Sequence, residues 1–403
     1  MKLIDNFKIK NLFLFIFFVI IFTPKIDIID ITGYWQGIRL EDLCLLGYTL
    51  YIITFWDRKI INNNLLNKFL PLISYFVLVF FGSFISNLSG IEINYFSLVR
   101  VLEYFVLIIL VCNLKMSYQT VLIYLKFYIL MNIIAVILQE YQLFGSFTSI
   151  GYLEPGHPLN TRKMGLTGGS WELGIIASLC YFIIISIEKP KLPLIFIYLI
   201  ITIYLNLIAE SRINFIAFCV ANLFFLKSYI KNYEYFYTII IIILITLISV
   251  VSLKYLNFQL LDNPFDRLIS TDYLQSMEIL KKFFLVFELP QLGDLDVTVW
   301  SLWYRLSLWE KLIVPYIDNF FTIIFGHGTY AVYYESAILR VVLTTGLIGT
   351  IYTIFMIRKL ELYIVCFFLI AGLTLDVFNS FKIFGFTVLY YRLLYEKNSY
   401  RRN

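Results

Sequence analysis

The sequence predicts an all-α polytopic membrane protein, and three observations carry that prediction. The 403-residue chain is 60% hydrophobic and 15% charged, against roughly 25% charged in an ordinary soluble domain. Its mean hydropathy is +0.82, so it holds more apolar surface than a soluble core of this length absorbs. The apolar residues come in long runs. Backbone inside lipid must satisfy its own amides, which requires helix.

A crossing helix needs about 20 apolar residues. Twelve candidate spans follow: roughly 10–24, 42–57, 69–88, 95–113, 119–138, 171–187, 193–209, 212–227, 235–253, 333–356, 360–376 and 383–396. The first resembles a signal peptide, from Met1 and Lys2 to Lys10 and then an apolar run. Its apolar region is long, no small-x-small cleavage site follows, and more spans come after it, so it reads as an uncleaved helix. Lys and Arg set the orientation. The two ends hold Lys2, Lys8, Lys10, Arg392, Lys397, Arg401 and Arg402, and the connectors on that side are rich in Lys and Arg. The short connectors opposite hold only Lys25, Arg39, Arg212 and Lys382. Both termini are therefore expected in the cytoplasm, in one multi-pass domain covering 1–403. Residues 139–170 and 254–332 become the two long extracytoplasmic loops. The second carries charge, three tryptophans and Gly326-His327-Gly328, and loops held by a rigid scaffold commonly carry function.

Candidate site residues gather around these loops. Arg212 lies in the tight turn Ala209-Glu210-Ser211-Arg212. It reads either as an interfacial anchor paired with Glu210 or as an anion ligand, because guanidinium binds phosphate through a rigid fork. Arg305 lies in a stretch where Leu302, Leu306, Trp309 and Ile313 recur at helical spacing. The pattern predicts a short amphipathic helix on the outer interface, with Trp303 and Trp309 anchoring it or stacking on sugar faces. His327 has a glycine on each side, so its backbone can turn sharply and approach a ligand closely. It serves as a turn residue, a base or a phosphate partner. Arg162, Lys163 and the glycines at 165, 168 and 169 lead into Glu172. Glu172 would sit just inside the outer interface, where a carboxylate is a functional candidate unless Arg162 or Lys163 pairs with it. Arg100 and Glu103, spaced i, i+3, can neutralise each other. Arg340 lies inside the span at 333–356 with Glu335 above it.

Five cysteines lie in apolar runs without a partner at metal-ligand spacing, so neither a disulfide framework nor zinc is indicated. No Walker loop is present, so no ATP site is implied, and no metal or other cofactor is expected. Arg162, Arg212, Arg305 and His327 on one face would suit a pyrophosphate whose lipid tail stays in the bilayer.

The sequence resembles the O-antigen polymerase and ligase (Wzy-like) superfamily. The residues responsible are Arg162 with Gly165 before Gly168-Gly169-Ser170-Trp171-Glu172, the Ser211-Arg212 turn, and Arg305 followed by Trp309. Phe325-Gly326-His327-Gly328 and Thr345-Gly346-Leu347-Ile348-Gly349 complete the pattern, which covers 160 to 350. The resemblance implies a GT-C-like, metal-independent glycosyltransferase in the cytoplasmic membrane. Its substrate would be an undecaprenyl-pyrophosphate-linked oligosaccharide, polymerised into O-antigen, capsule or exopolysaccharide. A chain-length regulator is a possible protein partner, and nucleic acid is not. By similarity, Arg212 and Arg305 would stabilise the pyrophosphate leaving group, His327 would orient the pyrophosphate or acceptor hydroxyl, and Glu172 would be the base. Arg162, Lys163, Trp303, Trp309 and Arg340 would bind substrate. A ligase acting on another acceptor is the nearest alternative. A flippase would instead show paired, broken spans in two related halves.

Overall fold

The computed structural model describes residues 14–24, 26–30, 37–54, 63–114, 117–148, 151–157, 162–229, 273–291, 293, 295, 299–330, 334–358 and 360–400. Among the described residues helix dominates, and the strands form two short antiparallel pairs, β1 (Asp27–Asp30) with β2 (Gly37–Arg39) and β3 (Ser146–Thr148) with β4 (Gly151–Leu153). The helices are α1 (14–22), α2 (Leu40–Thr54), α3 (Asn63–Leu88), α4 (Tyr95–Asn113), α5 (Tyr118–Glu140), α6 (Ser170–Glu188) and α7 (Leu192–Ile208). They continue with α8 (Arg212–Tyr229), α9 (Tyr273–Val286), α10 (Trp300–Ile317), α11 (Phe320–Phe325), α12 (Ala337–Ile357), α13 (Leu362–Gly372) and α14 (Phe381–Tyr400).

Among the described residues, four helical segments are long and apolar enough to cross a membrane: Leu65–Leu88, Tyr118–Glu140, Ser170–Glu188 and Ala337–Ile357. They mark the chain as a membrane protein. The span expected at 235–253 and the start of the 254–332 loop lie outside the described residues. Each of the other eleven expected spans falls on a helix. The one expected at 360–376 is cut short: α13 ends at Gly372, and a 3-10 turn follows at Val377–Asn379. Eleven residues rise only about 17 Å. The stop has a local cause, because Ser336 Oγ donates to Gly372 O (2.8 Å) and Ala337 N to Leu375 O (3.0 Å). Carbonyls left over at the end of α13 thus meet groups at the start of α12.

The chain forms two compact units. The first holds Met1–Ser74, Val99–Ser211 and Ser380–Asn403. Its pillar is α6, apolar all round and buried along nearly its whole length, as expected of a helix with no solvent-facing stripe. Asn206 of α7 donates to Ser178 of α6 (3.2 Å). Basic residues of α14 close the ends of its neighbours. Arg392 donates to Val111 O and Leu114 O at the end of α4, and Lys397 to Ser186 O and Ile187 O at the end of α6. Cations placed there meet both the orphan carbonyls and the negative pole of the helix dipole. The carboxyl-terminal ends of α4, α6 and α14 therefore lie together. The expected Arg100–Glu103 pair forms at 2.5 Å, with Asp42 as a third member at 3.5 Å.

The second unit holds Tyr75–Leu98 and Arg212–Asn379. Here α8 packs along α13, with Phe225 and Tyr363 edge to face at 4.7 Å. The amphipathic pattern at 302–313 is indeed a helix, α10. The apolar residues that set its period pack on protein, while Trp300, Tyr304, Leu308, Val314 and Ile317 stay exposed. Leu302, Leu306 and Trp309 pack on Ile279, Phe283 and Val299. Leu312, Ile313 and Tyr316 pack with Tyr334 and Leu343.

Candidate functional site

The site begins with a broken helix. Ser336 caps α12, its side chain accepting from Leu339 N. The helix then breaks at Gly346, whose φ of 61° and ψ of −163° leave the helical region. A side chain there would meet the backbone of Ile324 and Gly326 well inside contact distance, so glycine is required. The break leaves the carbonyls of Leu343 and Thr344 without their usual helical donors. They are taken by His327 N (2.8 Å) and Gly328 N (3.1 Å). The Gly-His-Gly segment is thus a backbone strap across the break in a helix long and apolar enough to cross a membrane. Irregular backbone beside a span is tolerated when protein satisfies it in this way. Gly328 also has positive φ (58°), and a Cβ there would strike Ser83 of α3. Ser83 Oγ accepts from Thr329 N at 3.0 Å.

The strap buries the His327 side chain completely. Tyr316, Tyr330 and Tyr334 surround its ring at centroid distances of 6.1, 5.1 and 6.0 Å, with Tyr334 stacked. Neither ring nitrogen has a hydrogen-bond partner among the described residues. Burial pulls the imidazole down to about 4, weakly opposed by the backbone at His327 and Gly328. His327 is therefore neutral at pH 7, with one nitrogen to donate and one to accept.

Tyr334 connects the histidine to the charges. It is wholly buried; its hydroxyl donates to Gly328 O (3.2 Å) and its backbone N–H to Asp376 Oδ2 (3.3 Å). The Arg340 guanidinium lies over its ring at 4.5 Å. Arg340 grips Asp376 through Nε (2.8 and 3.0 Å) and Nη2 (2.6 Å), and the Asp376 side chain is 0% exposed. Glu335, left-handed at φ 55°, pairs with Arg305 of α10 at 3.4 Å. The expected association of Arg340 with Glu335 is thus replaced by two pairs, one on each side of residues 334–335. The Arg305–Glu335 side chains are 32% and 20% exposed.

In the first unit, two polar residues of α5 hold the segment before α6. Gln139 donates to Gly145 O and Gly165 O and accepts from Met164 N and Gly165 N, at 2.8–3.1 Å. Asn132 accepts from Leu166 N (2.9 Å). Lys163 pairs with Glu140 (3.3 Å) and Arg162 with Glu210 (3.6 Å). Both basic residues thus have other carboxylate partners, so the alternative in which one of them pairs with Glu172 is not the one observed. Glu172 instead accepts from Gly168 N (2.7 Å), as a carboxylate in the first turn of a helix does, and from the Ser380 hydroxyl.

Trp303 is fixed by Nε1–H donating to Pro290 O (2.7 Å), while Trp309 packs inward. Arg212 opens α8, and its side chain lies outside the described residues. Of the four residues expected on one face, Arg305 and His327 converge on residues 334–335, whereas Arg162 belongs to the first unit. Asp376, Tyr334 and Gln139 were not anticipated. Asp376 had a visible signal, as the one acidic residue between Glu361 and Glu396. No known family model, curated protein or solved structure matches the chain.

Proposed function

We propose that this protein polymerises undecaprenyl-pyrophosphate-linked oligosaccharide repeat units at the outer face of the cytoplasmic membrane. In this reading it is a GT-C-like glycosyltransferase of about twelve spans with both termini in the cytoplasm. The supporting observation is the cluster at residues 327–340, where a neutral buried histidine and two arginine–carboxylate pairs meet at the head of a membrane-crossing helix. Lipid-linked pyrophosphate needs such a junction, because its charge must be held in a polar site while its tail stays in lipid.

The chemistry is substitution at the anomeric carbon of the growing chain. A hydroxyl of the incoming unit attacks that carbon, and the bond to the pyrophosphate oxygen breaks. The hydroxyl proton passes to a base. Arg305, loosely paired and partly exposed, exchanges Glu335 for the pyrophosphate and stabilises its developing charge. Arg212 assists. His327, neutral and enclosed, accepts a hydrogen bond from the attacking hydroxyl once the half-buried Tyr330 ring moves aside to admit it. Glu172, the base the resemblance implies, belongs to the first unit, where Gly168 N and the Ser380 hydroxyl occupy its oxygens.

Arg212→Ala, Arg305→Ala and His327→Ala should each abolish long surface glycan at unchanged protein abundance, with single repeat units still reaching the surface. Normal chain lengths in all three variants would overturn the proposal. A second reading, a flippase, draws on the break at Gly346, since transporters place sites at broken helices. It predicts that the same variants deliver no repeat units to the outer face.

A further inference from the structure

The inward face of α9 packs on α10 through Ile279 and Phe283. Its outward face is also apolar: Leu274, Met277, Phe284 and Leu285 are 86, 66, 68 and 73% exposed. At 100° per residue these four fall within one half of the helix, with Lys281 between them and the Glu278–Lys282 ion pair (3.0 Å) at the edge. Fourteen residues reach only about 21 Å, too short to cross a bilayer. The helix is nevertheless held close to one. Its partner α10 packs through Leu312 and Tyr316 on Leu343, inside the membrane-crossing α12.

The end of α9 adds an independent observation. Phe287 closes the helix in the left-handed conformation (φ 57°), its N–H donating to Phe283 O at 3.0 Å. Glycine is the usual residue at this position, and a bulky aromatic there is strained. The strained residue extends the exposed run of Phe284, Leu285 and Val286 by one more aromatic ring. Exposed apolar area rimmed by charge marks an interaction surface. Basic residues set among large apolar ones suit a helix lying in the headgroup region, with lysines reaching up to phosphates.

We propose that α9 lies flat in the headgroup–acyl boundary of the bilayer, with Leu274, Met277, Phe284, Leu285 and Phe287 in the acyl layer, Lys282 at lipid phosphates along the edge of that face, and the Lys281 stem running among the apolar side chains to bring its ammonium up to the same level. The placement does not depend on glycan chemistry. It puts an interfacial anchor on the helix that covers the tryptophan helix.

A photoreactive benzoylphenylalanine in place of Met277, Phe284 or Leu285 tests this in the full-length protein, irradiated in native membranes. The expected products are phospholipid adducts at all three positions, seen by mass spectrometry, and only intrachain products from position 283. Covalent dimers, adducts with another protein, or no adducts at the three positions would overturn the proposal. A Phe287→Gly change, made alongside the probe at position 285, relieves the strained turn and should lower the lipid-adduct yield several-fold. An unchanged yield would remove Phe287 from the anchor.

Discussion

Asp376→Asn is the sharpest perturbation of the second unit, because it removes charge while nearly preserving shape. Asp376 receives three contacts of 2.6–3.0 Å from Arg340 and is 0% exposed; Arg340 is 15% exposed. Removing one member of a buried pair strands the other without compensation and costs about 3–5 kcal/mol. Arg340→Met strands the carboxylate and should cost at least as much, since the acid is the more deeply buried partner. Arg340→Met combined with Asp376→Asn strands no charge. An asparagine oxygen still accepts from Tyr334 N. What remains lost is the guanidinium over the Tyr334 ring, about 0.5–2 kcal/mol. The double variant should therefore be more stable than either single variant. The assay is a double-mutant cycle on purified protein, unfolded by SDS in mixed micelles. Single effects that add to give the double effect would refute the reasoning, because the two residues would then not share one interaction.

Three further predictions follow from the same geometry. His327 has a folded pKa of about 4, against about 6.5 unfolded. Between those values the unfolded chain binds a proton that the native state refuses, so stability is full above pH 7 and falls by about 3 kcal/mol as pH drops to 4. His327→Phe should lose that dependence, and identical pH profiles by thermal unfolding would count against a buried neutral imidazole. Gly346→Ala should destabilise by about 2 kcal/mol or more, because its backbone is left-handed and its space is filled. Gly47→Ala, with nothing within 4 Å in α2, should stabilise by about 0.5–1 kcal/mol; equal melting shifts for the two would sink the argument. Gln139→Leu strips four hydrogen bonds from the segment before α6. It should raise hydrogen exchange at the Met164 and Gly165 amides at least tenfold, where unchanged exchange would show that other contacts hold the segment.

Much of the fold is legible in the sequence because lipid imposes a simple rule: a long apolar run must become helix. That rule finds α5, α6 and α12 to within a few residues. It fails at α13, where the run continues to Leu375 but Ser336 and Ala337 draw the last carbonyls away. Periodicity gave α10 its correct face. What covers that face was not legible, since Ile279 and Phe283 come from a helix whose own pattern is apolar on two sides. Ion pairs were the least legible feature. Glu335 is the nearest acid before Arg340 in sequence, yet the left-handed turn at 335 sends it to Arg305 and leaves Arg340 to Asp376, 36 residues away. The glycines of Thr345-Gly346-Leu347-Ile348-Gly349 and Gly326-His327-Gly328 stood out as motifs. That one motif repairs the break made by the other is a tertiary fact with no local signature.

The two ion pairs differ in a way that bears on which arginine can meet a ligand. An anion must displace the resident carboxylate, so the cost of opening each pair decides. Arg340 is held bidentately, its acid is sealed from solvent, and α12 is tied to the end of α13 again through Ser336–Gly372 and Ala337–Leu375. Opening it would cost several kcal/mol. The Arg305–Glu335 pair has one long contact at 3.4 Å and partly exposed members, and such pairs contribute about 0–1 kcal/mol. Under the proposed function, a phosphate accepting a charge-assisted bond from Arg305 would offset that cost, and at Arg340 it would not. The contacts of Arg340 fit a positioning residue better than a substrate ligand: it lies over Tyr334, whose hydroxyl donates to Gly328 O in the strap that carries His327. Under the proposed function, Arg305 is then the exchangeable cation of the cluster, paired with Glu335 one residue along the chain from the Tyr334 ring that stacks on His327, where a donor meets charge developing on a leaving group.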